Sequence, residues 1–405
     1  MKIKPIFFAT IAICVLAACD RAVQIPQIAR ENLFTLDIGR LEDQIALYNL
    51  EGDQGIRHAG MAMRDGFFYI SDGNGGKVLK YNSYGDLLFM IYNEETNPPP
   101  LSLRPLQEGS LVTRWAVSYP LHKPGVIAVD SRKHIYVQDE MPVERHSYDA
   151  ENRAYLDSII LHFDADGRFV EYLGRDGMGG SPFPKIESIH ISENDDLAVV
   201  CRMSTGWNIY WFNADGAFLF VIQLKNEAIP VPVDRDMVIA SLDAIVAAPD
   251  SRKLYVKVDY YRDTFDESTN TRTGNEPDSS VVWVMDAESG IWEEDRRVEV
   301  PFYELFYTDD RNRRYTIRVF YSMMGVTRDG IIFLYFPAEG GYSLLLLSSD
   351  PASVAEHQQR MIRVDNEELQ FNIFHLSEDG ILSALLLDDW QVRLAWWRTD
   401  RISGR

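Results

Sequence analysis

The most constraining feature of this chain is a grammar of short strands and tight turns that returns along most of its length. The clearest copy begins Gly60-Met61-Ala62-Met63-Arg64, turns at Asp65-Gly66 and continues as Phe67-Phe68-Tyr69-Ile70-Ser71-Asp72. After Gly73-Asn74-Gly75-Gly76 come Lys77-Val78-Leu79-Lys80-Tyr81, a turn at Gly85, and Leu87-Leu88-Phe89-Met90-Ile91. Four β-rich runs are thus divided by Asp-Gly, Asn-Gly-Gly and Tyr-Gly turn signals. Further copies begin near Val126, Ile189, Ala244, Gly325 and Phe374, and two of them repeat the punctuation as Ala165-Asp166-Gly167 and Ala214-Asp215-Gly216. A four-stranded sheet of this size cannot bury both faces by itself, so the units must stack on one another. No helical period of comparable length competes. The expected fold is all-β: a six-bladed β-propeller of four-stranded blades.

Closure of the ring has a trace in the sequence. The sixth unit offers only three strands, at 371–376, 381–387 and 391–397, and an orphan strand-like run stands at 32–39. That run is expected to supply the missing outer strand, so that no edge is left open. The succession of strand, Asp-Gly, apolar-Tyr-apolar strand, Asn/Gly loop and aromatic strand ending in Asp or Asn resembles NHL-repeat propellers over residues 59–400. The chain departs from that pattern at Ser349-Asp350-Pro351, and the basic side of the NHL loop is reduced to Lys77.

The N-terminus addresses a compartment. Lys2 and Lys4 precede an apolar run from Pro5 to Leu16, and Leu16-Ala17-Ala18-Cys19 follows. This is the layout of a secretory signal, and its last four residues resemble the lipobox of bacterial lipoproteins. The resemblance implies cleavage after residue 18 and lipidation of Cys19. The run is too short for a span of about 20 residues, so the mature chain is expected to be tethered to a membrane of the cell envelope by lipid, facing the periplasm or the cell surface. Residues 19–31 then form a lipidated tether and 32–405 a single propeller domain. Asp20 resembles an inner-membrane retention signal of enteric bacteria; other phyla do not all follow that rule. Of the remaining cysteines, Cys14 leaves with the signal, and Cys201 lies in the apolar run Leu197-Ala198-Val199-Val200-Cys201 as a buried small hydrophobe. The formal net charge of −21 repels phosphate backbones and argues against nucleic acid partners.

Long connections point toward function. In a four-stranded blade, the strand 2–3 and blade-to-blade loops leave on one face and the other loops on the opposite face. Here the first kind are long, at 93–124, 139–157, 226–242, 259–279 and 301–314, while most of the second kind are tight turns. Unstructured loops of that length are usually functional or disordered. They carry Trp115, Tyr119, His146, Tyr148, Tyr260, Tyr261 and Arg314, residue types frequent at binding hot spots, which become the candidate ligand-binding residues.

Catalytic chemistry leaves a weaker mark. There is no His-Glu-x-x-His, Gly-x-Ser-x-Gly, phosphate loop or Cys-x-x-Cys. Asp72-Gly73-Asn74-Gly75-Gly76 has oxygen ligands at alternate positions but lacks the rest of a calcium loop, and reads as a turn. His190 and His375 hold equivalent places on the first strands of units three and six, which oppose each other across a six-membered ring. NHL-type lyases hold a metal at that axis with histidines, so this pair is the candidate for a divalent metal or for acid–base work. Otherwise no cofactor is expected. Two function classes result. One is a lipid-anchored binding module or scaffold engaging a protein, peptide or glycan through the long-loop face. The alternative is a metal-assisted hydrolase or lyase with its site in the central channel. The missing catalytic motifs favour binding.

Overall fold

The computed structural model describes residues 25–46, 58–105, 113–233, 238–350, 357–365, 371–388 and 391–402. The expected signal segment and Cys19 lie outside the described residues. Five consecutive stretches each form a four-stranded antiparallel meander. The first sheet is Ala59–Arg64, Phe67–Asp72, Lys77–Tyr81 and Leu87–Tyr92; the second is Pro124–Val129, Ile135–Glu140, Ser158–Phe163 and Phe169–Gly174. The third is Ile186–Ile191, Leu197–Met203, Gly206–Phe212 and Phe218–Lys225. The fourth is Val238–Ala247, Lys253–Phe265, Arg272–Asp286 and Val298–Val300; the fifth is Ser322–Val326, Ile331–Ala338, Gly341–Ser348 and Gln358–Arg363. A last stretch supplies three strands, Phe371–Leu376, Leu382–Leu387 and Gln391–Trp397. Arg30–Asp37 adds to it as a fourth, antiparallel to Gln391–Trp397. The first strand of each sheet lies beside that of the next, and Phe371–Leu376 returns to Ala59–Arg64. The result is an all-β propeller, in which the helices among the described residues are 3-10 turns of three residues.

Sequence explains the layering. Middle strands are covered on both faces by neighbouring sheets, so Leu382–Leu387 and Ser158–Phe163 are buried at every position. The outer strand Phe218–Lys225 is mostly exposed. Trp211, Trp283 and Trp397 are fully buried between sheets. Asp65 and Gly66 both take positive φ, 50° and 77°, as a type I′ hairpin turn requires. At Gly60 an added Cβ would stand 2.5 Å from the Gly125 carbonyl oxygen, so glycine lets two inner strands approach.

Two expectations need correction. Residues 27–31 are not tether: Gln27–Ile28 pairs in parallel with Met361 and Ile362, and Ile28 is buried in a cluster with Tyr342 and Trp397. The long connections also carry β-structure of their own. Within 139–157, Ser147–Asp149 pairs with Ala154–Leu156. The stretch 259–279 prolongs the pairing of Lys253–Phe265 with Arg272–Asp286. Beyond 301, Tyr303–Thr308 pairs with Arg314–Val319. From 93–124, Trp115–Ser118 and Arg104–Pro105 extend the first sheet. In Arg314–Val319, alternating polar and apolar residues favour pairing over coil.

Candidate functional site: the channel and the long-loop face

The first strands enclose a cavity of about 380 Å³ on the axis, which reaches the tight-turn side at Asp65, Pro249 and Asp379. His190 and His375 both line it. Each imidazole also contacts the backbone of the neighbouring first strand: His190 at Ile245, His375 at Met63. Burial pushes both imidazoles down to about 4, against an ordinary 6.5, and the charge of His375 lowers His190 further. Both rings are therefore neutral ties between adjacent sheets at pH 7. Ser188 Oγ sits 2.9 Å from His190 Nε2, the start of a nucleophile–base pair. An imidazole that titrates near 4 is a weak base, however, and no described carboxylate orients it. At the mouth, Glu378 is gripped by Arg64 at 3.0 Å and Arg328 at 2.8 Å. Among the described residues no three His, Cys, Asp or Glu side chains converge as metal ligands; His190 and His375 are the imidazoles that line the channel.

Asp72 and Lys77 are both completely buried. Asp72 accepts from the Gly75 and Ala46 amides at 2.9 and 2.7 Å, and Lys77 Nζ donates to the Leu41 carbonyl at 2.7 Å. Burial raises the Asp72 carboxyl and lowers Lys77 to about 8. The Asp72–Gly76 segment is a turn that fastens residues 41–46 to the first sheet.

The sequence-selected aromatics do not form one rim. Tyr260 is 0% exposed; its hydroxyl donates to the Pro230 carbonyl and accepts from Trp283 Nε1 at 2.8 Å. It is core because side chains alternate along Lys253–Phe265, which turns Tyr260 inward with Val258. Trp115 is half-buried, stacked on Phe89 at 5.5 Å, with Nε1 donating to the Asp166 carbonyl at 2.7 Å. Tyr119 stacks on Phe169 at 4.8 Å. Both seal the joint between the first and second sheets. His146 Nε2 donates to the Met141 carbonyl at 2.7 Å and closes its own turn. Tyr261 is half-buried against Phe320. Tyr148, 56% exposed, and Arg314, exposed on its hairpin, are the two that are mainly open to solvent.

Two other features of this face escaped the sequence. In the hairpin of Tyr303–Thr308 and Arg314–Val319 the cross-strand pairs Leu305–Ile317 and Tyr307–Tyr315 share one face, and Glu304–Arg318, Phe306–Thr316 and Thr308–Arg314 the other, where Phe306 is 75% exposed. Tyr307 is 55% and Ile317 49% exposed, so the apolar face is uncovered. Its signal was the alternation Tyr315-x-Ile317-x-Val319 in the second strand. The second feature is a groove of about 740 Å³ between the second, third and fourth sheets, lined by Arg153, Tyr155, Asp157, Lys185, Arg202 and Trp207 among others. Between the first and second sheets, Glu140 accepts from Lys123 Nζ at 2.8 Å and faces His58 at 3.6 Å, and burial pushes Asp139 up to about 6.

No protein-family model matches the chain, and a search of curated proteins found no match. Similar solved structures include the polysaccharide lyase Uly1, with TM-score 0.44 and 11% identity over 92% of this chain and 99% of that one. Another is the gluconolactonase XC5397 from Xanthomonas campestris, with TM-score 0.40 and 13% identity over 91% of this chain and 99% of that one. The WD40 domain of Toxoplasma gondii coronin gives TM-score 0.40 and 9% identity over 93% and 87%.

Proposed function

We propose that this protein is a lipid-anchored cell-envelope propeller of six blades that acts as a binding module, docking a protein or peptide partner through its long-loop face. The uncovered apolar face of the hairpin Tyr303–Val319 carries this reading. Leu305, Tyr307, Tyr315 and Ile317 form cross-strand pairs exposed to water, and such a patch marks an interaction site. The count of six is supported by the last sheet, whose three strands and added Arg30–Asp37 occupy a full place in the ring. Attachment through Cys19, with residues 1–18 as the removed signal, is supported by the lipobox resemblance. Gln27–Ile28 runs parallel to Gln358–Arg363, so the chain enters the fold from the tight-turn side. That polarity directs the long-loop face away from the tether, where a partner can reach it.

The test is the variant Leu305→Ser with Ile317→Ser, both on one exposed face. Crosslinking pull-downs from intact envelopes are expected to lose the species captured by the wild type, while the thermal midpoint stays within a few degrees. Retention of that species by the variant would refute the reading. The second reading, hydrolysis or elimination in the channel, has the Ser188–His190 contact in its favour. Turnover of any ester or glycoside that disappears in Ser188→Ala, with the hairpin variant fully active, would install it instead.

A further inference from the structure

The groove between the second, third and fourth sheets has a charge opposite to that of the molecule. The chain carries a net −21, yet three of the four charged side chains lining the groove are cationic: Arg153, Lys185 and Arg202, against Asp157. Lys185 pairs with Glu187 at 2.7 Å, and Asp157 accepts from Ser158 Oγ at 2.8 Å. Arg153 and Arg202 are exposed and have no carboxylate partner among the described residues. In so acidic a chain, two unpaired guanidinium groups on the walls of one concavity create a local positive potential that low-dielectric walls focus.

One of these groups is also held in place. Arg202 lies over the buried Trp207 ring, 5.4 Å from its centroid, a stacking that fixes the guanidinium plane and leaves its edge donors for an anion. Arg153 sits at the hairpin turn with φ of 50°. Two residues on, Tyr155 is 68% exposed and packs edge-to-face on Tyr148 with centroids 5.1 Å apart. The pair makes a stiff aromatic wall beside the cations. The remaining polar groups of the lining include Ser204, Asn226 and Ser241, which suit hydroxyl partners. A volume of about 740 Å³ falls within the range of about 300–1,000 Å³ for ligand sites.

We propose that this groove binds an acidic oligosaccharide, with carboxylate or sulfate groups on Arg153 and Arg202 and a sugar ring stacked against Tyr155. Planar guanidinium forks match those anions, and an exposed tyrosine face matches the C–H face of a pyranose. The walls are side chains of three sheets rather than a free strand edge, which disfavours an extended acidic peptide. The site shares no residue with the hairpin that docks the partner.

The test is calorimetric titration of the purified full-length protein in detergent with oligogalacturonate, chondroitin sulfate oligosaccharides and neutral maltoheptaose. At least one acidic glycan is expected to bind with an affinity that falls as salt rises, and maltoheptaose is not. Arg153→Glu with Arg202→Glu should weaken binding at least tenfold, and Tyr155→Ala severalfold, with unchanged circular dichroism and melting. Leu305→Ser/Ile317→Ser should bind the glycan as the wild type does, which separates this site from partner docking. Binding of neutral and acidic glycans alike, full binding by the double arginine variant, or no acidic glycan bound at all would overturn the proposal. Tighter binding of oligoglutamate or phosphatidylglycerol vesicles than of either acidic glycan would also overturn it.

Discussion

Acid should unfold this propeller partly through its axis. His190 and His375 titrate at about 4 in the folded chain and at an ordinary 6.5 once exposed. Between those values the unfolded chain binds more protons than the folded one, so stability falls as pH falls through the window. For one such group the loss from pH 7 to about pH 4.5 is about 2 kcal/mol, and two groups double it. His162 has the same sign: it is buried on Tyr136, beside His134, and also titrates at about 4. Asp139 has the opposite sign. Its folded value is raised to about 6, so its contribution is full below the unfolded value near 3.8 and is lost as pH rises through 6. The wild-type slope alone therefore mixes causes. The decisive comparison is urea unfolding of the wild type and of His190→Gln/His375→Gln at several pH values from about 7 to about 4.5. The variant starts less stable, because two ties between sheets are altered, but its stability should fall by about 4 kcal/mol less across the window. Equal slopes for the two proteins would refute the assignment of neutral, half-buried imidazoles to the channel.

Tyr260→Phe should destabilise by about 1–3 kcal/mol, because the Trp283 N–H and the Pro230 carbonyl lose a shared buried partner; chemical denaturation reads this directly, and a neutral result would mean the tyrosine is not core. Deleting residues 30–37 uncovers the edge of Gln391–Trp397 and removes Leu36 and Phe34 from the first-sheet cluster. The expected loss is at least about 4 kcal/mol, seen as a lower urea midpoint for the whole domain. Cys19→Ser should leave an uncleaved precursor that takes up no labelled fatty acid, and normal processing of that variant would exclude lipid attachment there.

Local signals carried much of the architecture. Asp65-Gly66 announced its turn because only a few residues accept positive φ there. The apolar run at 381–387 marked a strand, and in the structure all six positions of Leu382–Leu387 are buried. The orphan run near Phe34 could be paired with residues near Leu394 because every sheet needs its edge closed, and these strands do pair. Errors came where period was ignored inside supposed loops. Asp259-Tyr260-Tyr261-Arg262 alternates, so one tyrosine of the two had to point inward. Trp115 and Tyr119 are covered by the second sheet's turn at Asp166 and its strand at Phe169. That contact spans about 50 residues and leaves no local trace. The groove is assembled from Arg153, Lys185, Arg202 and residues near 226–242, and only the stacking of sheets brings those cations together.

Partner docking on the long-loop face is tested most directly by site-specific photocrosslinking in intact cells. A photoreactive residue is placed in turn at Leu305 and Ile317 on the hairpin, and at the exposed tight-turn positions Asp215 and Asp379. The expected result is one discrete crosslinked species at 305 and 317, and none at 215 and 379. Crosslinks confined to the tight-turn positions, or none at any of the four while the protein is at normal abundance, would contradict it.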